Sequence, residues 1–402
     1  MAGGVLLNIA CLGMLKYYNF FISSLNQVFK TDYNLIRVFL PLGLSFFTFQ
    51  FIALIYDCYK GKIEELSFVK YVLFASFFPK IIQGPIMVYQ DFDRQYSLDE
   101  KNYFNAENVA KGIYAFTLGL GKKILIADLL ADFVNAGFSQ EYQSYNSTML
   151  LLLVLAYTLQ IYFDFSGYSD MARGLGLLFN IELPINFNSP YKALSVNDFW
   201  KRWHMTLTSF FTKYLYIPLG GNRKGEWKTY RNVLIVYLVS GLWHGANYTF
   251  IIWGLLHGVV SVVEKKWKFT EHMHIAIRWL YTFVFVNFAW LFFRANSVEQ
   301  ACFILKGIFR CDFSGVSYAS FAGLIPQEIN ILANVLGVGG IVTKFFLLFM
   351  ILLVFAVLWL KNTDEKIATF KPNLKTLLIL VFVFCWSVLS FGGKIVFLYE
   401  MF

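Results

Sequence analysis

Apolar runs with few charges recur along the whole chain of 402 residues. The clear runs cover residues 38–55, 149–163, 232–263, 275–293, 345–360 and 377–391, and weaker runs cover 5–29, 68–88 and 109–133. Most of them approach or exceed the roughly 18–20 residues that a helix needs to cross a bilayer. Lipid cannot hydrogen-bond to an open backbone, so these segments are expected to be helical. The pattern predicts an all-α, polytopic integral membrane protein with about eight to eleven membrane helices.

The composition and charge agree with a chain surrounded by membrane lipid. Hydrophobic residues make up 58% and charged residues 15% of the sequence, whereas a soluble domain has about 45–50% and about 25%. Residues 192–231 hold eight basic and two acidic residues. Because such an excess is typical of a cytoplasmic loop, we interpret the net charge of +9 as a sign of topology and not of nucleic acid binding. No repeat or linker divides the chain, which predicts a single domain over residues 1–402, and the cysteines show no metal-binding spacing.

The segment "NDFWKRWHMTLTSFFTKYLYIPLGG" alternates aromatic and basic residues. Its apolar side chains recur at steps of three or four, at Phe199, Trp203, Leu207, Phe210 and Phe211. This spacing predicts an amphipathic helix. Such a helix would either lie at the cytoplasmic membrane surface as an anchor or re-enter the protein, and the segment favours neither alternative.

Histidines occur inside one of the most apolar parts of the chain. The stretch "SGLWHGANYTFIIWGLLHG" contains His244 and His257, and an ionisable residue inside a membrane usually marks a pathway or a reaction centre. On one straight helix the two rings would lie on nearly opposite faces and about 20 Å apart, so we expect no shared metal ion. His244, beside Trp243, could act as a general base near neutral pH. A histidine that is hydrogen-bonded between helices is the alternative, and for His257 a supporting role is expected.

Other polar side chains in apolar or Gly-rich surroundings are weaker candidates. Asp170 and Arg173 are three residues apart and are expected to form a helical ion pair. Asp164 should pair with a basic residue or line a polar cavity, and pairing is favoured over catalysis. The turn "IPLGGNRKG" could hold a phosphate or an acidic carrier protein through Arg223 and Lys224, or it could be a plain surface turn.

A long central block carries a resemblance to a known family. The block "YFDFSGYSDMARGLGLLFNIELPINFNSPYKALSVNDFWKRWHMTLTSFFTKYLYIPLGGNRKG", followed by "SGLWHGANYTFIIWGLLHG", closely resembles the membrane-bound O-acyltransferase (MBOAT) family, in particular its bacterial alginate O-acetyltransferase branch. Further similar stretches are "PLGLSFFTFQ", "FFPKIIQGPI", "GLGKKILIADLLA" and "FLYEMF". The resemblance implies a ring of tilted helices around a thin centre, with a tunnel from the cytoplasm and a funnel from outside.

The resemblance also implies a reaction and its residues. Members of the family move an acyl group from a thioester donor to a hydroxyl, and in this branch an acetyl group crosses the membrane to an exported polysaccharide with the help of extracytoplasmic partner proteins. The family's near-universal histidine corresponds to His244, and a second polar position corresponds to His204. Full-length members carry further membrane helices before the segment matching "LGMLKYYNFF", so this chain is expected to lack them.

These expectations combine into one hypothesis. Acetyl-CoA or another acyl thioester is the donor, no cofactor or metal is bound, and the protein spans the bacterial cytoplasmic membrane several times. The catalytic pair is His244 and His204, and the predicted donor- or substrate-binding residues are Trp203, Asn222, Arg223, Lys224, Trp243 and Asp164. Two alternatives are other acyl transfers, either of D-alanine or to peptidoglycan. Two further alternatives are a proton-coupled transporter and a non-catalytic scaffold.

Overall fold

The computed structural model describes residues 1–97, 103–139, 141–316 and 345–391, together with Ile331 and Val335. All regular elements in these ranges are helices, and no strand occurs there. By length and composition, the helices Ala2–Phe29, Ser147–Leu178 and Ile275–Arg294 could cross a membrane, and Leu44–Tyr59, Phe346–Trp359 and Leu374–Leu389 are shorter apolar helices. The predicted all-α class is confirmed, whereas the ring of tilted helices around a tunnel stays a prediction.

The helices follow one another closely along the chain. The first half contains α1 (Ala2–Leu12), α2 (Tyr18–Phe29), α3 (Leu44–Tyr59), α4 (Phe68–Ser76), α5 (Tyr89–Tyr96), α6 (Ala106–Gly121), α7 (Asp128–Ser139) and α8 (Ser147–Leu178). The second half contains α9 (Val196–Trp200), α10 (Met205–Phe211), α11 (Glu226–His244), α12 (Tyr248–Trp267), α13 (Ile275–Arg294), α14 (Val298–Phe309), α15 (Phe345–Trp359), α16 (Thr363–Ala368) and α17 (Leu374–Leu389). Single π-helical turns connect α1 to α2, at Gly13–Tyr17, and α6 to α7, at Lys122–Ala127.

The long helix α8 forms the centre of the core. Glycines let α6 cross it at close range, since a Cβ atom on Gly119 would lie 2.5 Å from the Gly167 carbonyl oxygen. Gly112 and Gly174 face each other in the same way, with a Cβ on Gly174 placed 2.6 Å from the Gly112 carbonyl oxygen. Close approach through small residues is the usual way in which membrane helices pack.

The buried charges of α8 are paired, although one pairing differs from the prediction. Asp170 bonds to Lys122 at 2.6 Å, and Arg173 pairs with Asp364 of α16. The expected pair between Asp170 and Arg173 is therefore wrong. The physical reason is tertiary packing. The π turn after α6 brings Lys122 to Asp170, and the short helix α16 brings Asp364 to Arg173, so each charge pairs with a residue distant in sequence.

The apolar run over residues 232–263 is divided between two helices. α11 ends at His244, Gly245 is extended, and the Asn247 side chain accepts a hydrogen bond from the Thr249 N–H at the start of α12. A Cβ atom on Gly245 would lie 2.1 Å from the Phe250 ring, so the turn needs glycine at this position. The assumption of one straight helix through His244 and His257 is therefore wrong.

The aromatic-basic segment forms two short helices, α9 and α10, and not one amphipathic helix. The chain turns between them at His204, whose φ of +43° lies in the left-handed region. All five apolar side chains that define the predicted stripe are buried. Their burial inside the protein supports the alternative in which this segment re-enters the protein, and it positions His204 in the interior.

Candidate functional site

His244 lies at the last position of α11 and is 4% exposed. Aromatic rings enclose it, with centroid distances of 4.9 Å to Trp243, 5.1 Å to Trp253 and 5.0 Å to Phe293. Trp243 and His244 also line a cavity of about 290 Å³. This volume lies near the lower end of small-molecule pockets, so it can hold a small reacting group next to the imidazole.

His204 lies in the turn between α9 and α10 and is fully buried. Its Nδ1 is 3.2 Å from the Asn186 Oδ1, and its ring packs edge-on against Phe165 at 4.6 Å. Within the described parts of the chain, its Nε2 has no hydrogen-bond partner. Burial in an apolar environment favours the neutral imidazole.

The hydrogen bonds around Asn186 assign the His204 tautomer. The Thr206 hydroxyl accepts from the Ile86 N–H at 3.1 Å and donates its own proton to the Asn186 Oδ1 at 2.7 Å. Because an amide oxygen can only accept, the contact between this Oδ1 and the His204 Nδ1 requires the ring proton to lie on Nδ1. This leaves a lone pair on Nε2, where a hydroxyl of a substrate could donate.

The two histidines come together at one tryptophan. Ring centroids are 6.4 Å apart between His204 and Trp243, and 4.9 Å apart between His244 and Trp243. Phe46 packs against the same indole at 5.3 Å and stacks near His204 at 6.5 Å. His204 and His244 are 40 positions apart in the sequence, yet both contact the Trp243 ring. Three of the predicted site residues are therefore neighbours.

The end of α11 is held by residues that the sequence pattern did not indicate. The Lys16 Nζ donates to the Trp243 carbonyl at 2.7 Å and to the His244 carbonyl at 3.1 Å, and the Tyr17 hydroxyl donates to the Leu242 carbonyl at 2.6 Å. The last carbonyls of a helix have no hydrogen-bond partner within that helix, and a cation beside them is favourable. The signal for Lys16 was its charge in the apolar run over residues 5–29.

His257 supports the site from the other side of Trp253. The indole N–H of Trp200 donates to its Nδ1 at 3.1 Å, and its ring lies 4.9 Å from Trp253, which also contacts His244. His257 does not line the cavity beside His244. Within the ranges described, no three His, Cys, Asp or Glu side chains come close enough to share a metal ion.

Two predicted binding residues lie in closed surroundings away from this cavity. Trp203 is 5.0 Å from Trp290 and stacks on Phe199 at 5.5 Å, in the centre of the aromatic core. Asp164 is buried and bonds to Lys123 at 2.5 Å. These contacts favour packing for Trp203 and charge pairing for Asp164 over direct contact with a donor.

The predicted phosphate-binding turn lies at the opposite end of α11 from His244. Asn222, Arg223 and Lys224 are exposed there, and the turn is fixed by the buried Asn232, whose side chain donates to the Gly221 carbonyl at 3.0 Å. The helix from residue 226 to 244 separates the turn from His244 by roughly 27 Å, at 1.5 Å per residue. The structure therefore does not bring these three residues into the histidine site.

Comparisons with known proteins indicate the family of the chain. The model of the membrane-bound O-acyltransferase family matches residues 5–300. The chain is 43% identical to a peptidoglycan O-acetyltransferase of Helicobacter pylori over 81% of this chain and 67% of that protein. It is 36% identical to a probable alginate O-acetylase AlgI of Pseudomonas aeruginosa over 82% of this chain and 64% of that protein.

A more distant relative transfers a different acyl group. The chain is 29% identical to a teichoic acid D-alanyltransferase of Bacillus subtilis over 73% of this chain and 77% of that protein. The chain spans about two thirds of the length of the two O-acetyltransferase relatives. The family model covers well over half of the chain, including both histidines, and the chain therefore belongs to the membrane-bound O-acyltransferase family.

Proposed function

We propose that this protein transfers an acetyl group from a thioester donor, such as acetyl-CoA, to a hydroxyl of a polysaccharide exported through the bacterial cytoplasmic membrane. The observation that carries the proposal is the meeting of His204 and His244 at Trp243, beside a cavity that His244 lines. A neutral imidazole that lines a small cavity, with a second imidazole close by, suits proton transfer at a reacting hydroxyl.

His244 acts as the general base in this proposal. The acceptor oxygen bonds to the thioester carbonyl carbon while its proton moves to His244, and the carbonyl electron pair moves onto the carbonyl oxygen. When this intermediate collapses, the C=O bond forms again and the C–S bond breaks. The departing thiolate takes the proton from His244, so the products are an ester and a thiol.

His204 orients the acceptor. Its Nδ1 is engaged with Asn186, and the lone pair on Nε2 can accept the hydroxyl proton in a hydrogen bond. The rings of Phe165 and Trp243 pack around the His204 imidazole and exclude water from it. Holding both reactants in a dry site supplies proximity and strengthens electrostatic interactions.

The donor enters from the cytoplasmic side. Arg223 and Lys224 lie in the basic interval that is expected to face the cytoplasm, and Asn222 adds an amide to the same turn. They would bind the phosphate groups of a nucleotide-bearing thioester or an acidic carrier. Because the turn lies roughly 27 Å from His244, the donor needs a long flexible arm that carries the acyl group along α11.

The acceptor is proposed from the relatives. The two more similar relatives are named for peptidoglycan and alginate, which are both polymers with free sugar hydroxyls. We propose a cell-surface glycan of this kind and extracytoplasmic acetyltransferase partners that complete the transfer. The D-alanyl relative is less similar to the chain, so acetyl is preferred over D-alanyl as the acyl group.

The proposal is tested with acetyl-labelled acetyl-CoA in membrane vesicles that contain the wild type, His244→Ala, His204→Ala or His272→Ala. His272 is an exposed histidine and serves as the matched control. Thiol release and label on peptidoglycan or alginate fragments are measured, with a D-alanyl thioester in parallel. Turnover that is lost in His244→Ala and kept in His272→Ala supports the proposal. Unchanged turnover in His244→Ala, or solute flux without acyl transfer, contradicts it.

A further inference from the structure

Gln83 is a buried polar residue in the wall of the cavity that His244 lines. Its side chain is 1% exposed, and Lys16 and Trp243 line the same space. Neither Nε2 nor Oε1 of Gln83 has a hydrogen-bond partner among the residues that the structure describes. A buried amide with both polar atoms unsatisfied is rare, because it loses its bonds to water without replacement. An apolar residue of similar size would serve the fold better, so the amide points to a ligand.

The backbone around Gln83 is fixed by close packing and by a hydrogen bond. A Cβ atom on the next residue, Gly84, would lie 2.3 Å from the Lys80 Cα, which requires glycine in this tight turn. Three residues after Gln83, the Ile86 N–H donates to the Thr206 hydroxyl, which bonds to Asn186. The same Asn186 holds His204. The segment that carries Gln83 is therefore anchored to the hydrogen-bond network of the second histidine.

Two neighbouring ammonium groups are engaged with other groups. The Lys16 ammonium bonds to two main-chain carbonyls at the end of α11. The buried Lys80 bonds to the Gln50 Oε1 at 2.5 Å and lies 3.6 Å from the Phe74 ring centroid. The Gln83 amide therefore offers the cavity an N–H group that the fold itself does not use.

We propose that the Gln83 Nε2 donates a hydrogen bond to the acyl carbonyl oxygen of the donor. This inference rests on the proposed acyl transfer and names a residue that stabilises its transition state. As the acceptor hydroxyl bonds to the carbonyl carbon and gives its proton to His244, negative charge develops on the carbonyl oxygen. A preoriented N–H in a water-poor site stabilises that charge. The hydrogen bond weakens when the C–S bond breaks and the thiolate takes the proton back from His244.

The test compares Gln83→Met with Gln300→Met in the full chain. Methionine has the length of glutamine without its hydrogen bonds. Gln300 is also buried, but it is satisfied: its Nε2 donates to the Phe138 carbonyl at 2.6 Å and its Oε1 accepts from the Asn296 N–H at 2.8 Å. Acetyl transfer from labelled acetyl-CoA and the thermal midpoint are measured for both variants, with His244→Ala as the reference for lost catalysis.

The two variants are expected to behave in opposite ways. Gln83→Met should keep or raise the thermal midpoint and lower kcat by about 100-fold or more, the effect of removing one oxyanion donor. Gln300→Met should lower the thermal midpoint and keep kcat per folded molecule. Wild-type kcat in Gln83→Met, while His244→Ala is inactive, overturns the inference and leaves the proposed function intact. An effect on the acceptor KM alone also overturns it, because the amide would then bind the acceptor and not the acyl oxygen.

Discussion

His204 offers one ring nitrogen to the site because Asn186 engages the other. The Asn186 Oδ1 accepts from the Thr206 hydroxyl and from the His204 Nδ1, while its Nδ2 donates to the Ser169 hydroxyl at 3.3 Å. The amide is thus oriented from both ends. At the scale of single residues, the tautomer of this histidine is therefore set by its neighbour Asn186.

Replacing Asn186 should therefore affect catalysis through His204. In Asn186→Ala the Nδ1 loses its acceptor and the imidazole can rotate or change tautomer, so acyl transfer should fall by roughly 10-fold or more. Ser169→Ala is the matched control, since it removes only the 3.3 Å bond at the far end of the amide. The measurement is the initial rate of acetyl transfer per folded molecule. Equal rates in both variants would mean that Asn186 does not orient His204.

Asp164 gives a second test at the residue scale, because its burial can be explained by charge pairing. Asp164→Asn breaks the ion pair with Lys123, and Lys123 keeps its second ion pair, with Asp128 at 2.6 Å. Losing one partner of a buried pair should lower the free energy of unfolding by about 3 kcal/mol, at the low end for such pairs. The control is Asp91→Asn, which breaks the exposed ion pair with Arg94 and should change the free energy of unfolding by less than about 0.5 kcal/mol.

The same variant distinguishes pairing from donor binding. Chemical unfolding in detergent gives the stability, and acetyl transfer per folded molecule gives the activity. We expect Asp164→Asn to be less stable and to keep its activity. A variant of normal stability with a raised donor KM would instead support the contact with the donor that the sequence suggested.

At the scale of elements, the site depends on where α11 ends. The ending is made by Gly245, by the Asn247 cap of α12 and by the bonds from Lys16 and Tyr17 to the last carbonyls of α11. Lys16 itself lies in the π turn between α1 and α2. Such turns are frequent at functional sites, and this one connects the N-terminal helices to His244.

Removing the Lys16 charge should loosen the end of α11. In Lys16→Met, two carbonyls lose a charge-assisted hydrogen bond, so the free energy of unfolding should fall by about 1.5–3 kcal/mol. Acetyl transfer should fall as well, because the His244 backbone is no longer held. Lys30→Met, at an exposed position after α2, is the control and should resemble the wild type. A stable Lys16→Met with wild-type kcat would show that the bonds to Trp243 and His244 do not position the histidine.

The sequence predicted the elements better than their ends. Apolar periodicity predicted helices throughout, but it does not register a break such as the one at Gly245, because the residues on both sides remain apolar. It also could not predict that residues 196–211 turn at His204, since the left-handed conformation there depends on tertiary contacts. At the site, His204, His244 and Trp243 were predicted. Gln83 and Asn186 were not, because an uncharged amide gives little signal until its surroundings are known.

At the scale of the whole molecule, the basic turn and the histidines lie at opposite ends of α11. Residues 222–224 are exposed at one end, whereas His244 is buried at the other, roughly 27 Å away. An activity that needs both ends requires a substrate that reaches from one to the other. Under the proposed function, the donor therefore binds at one end of α11 and the chemistry takes place at the other.

Removing the charges of the turn should therefore change donor binding and not the chemical step. In the Arg223→Ala, Lys224→Ala double variant, the donor KM should rise by about 10-fold, as expected when charge-assisted bonds to phosphate are lost. The kcat at saturating donor should stay within about twofold of the wild type. Lys371→Ala removes an exposed charge outside this turn and should leave both constants unchanged. A fall in kcat with an unchanged KM would contradict the separation.

The central question for this protein is whether His204 and His244 act as one catalytic unit. Acetyl transfer at saturating donor is measured for His204→Ala, His244→Ala and the double variant. Groups that act in one step are strongly non-additive, so each single variant should lose about 100-fold or more, and the double variant should be about as slow as His244→Ala alone. If the two losses multiply, or if His244→Ala keeps the wild-type rate, the two histidines do not form the reaction centre.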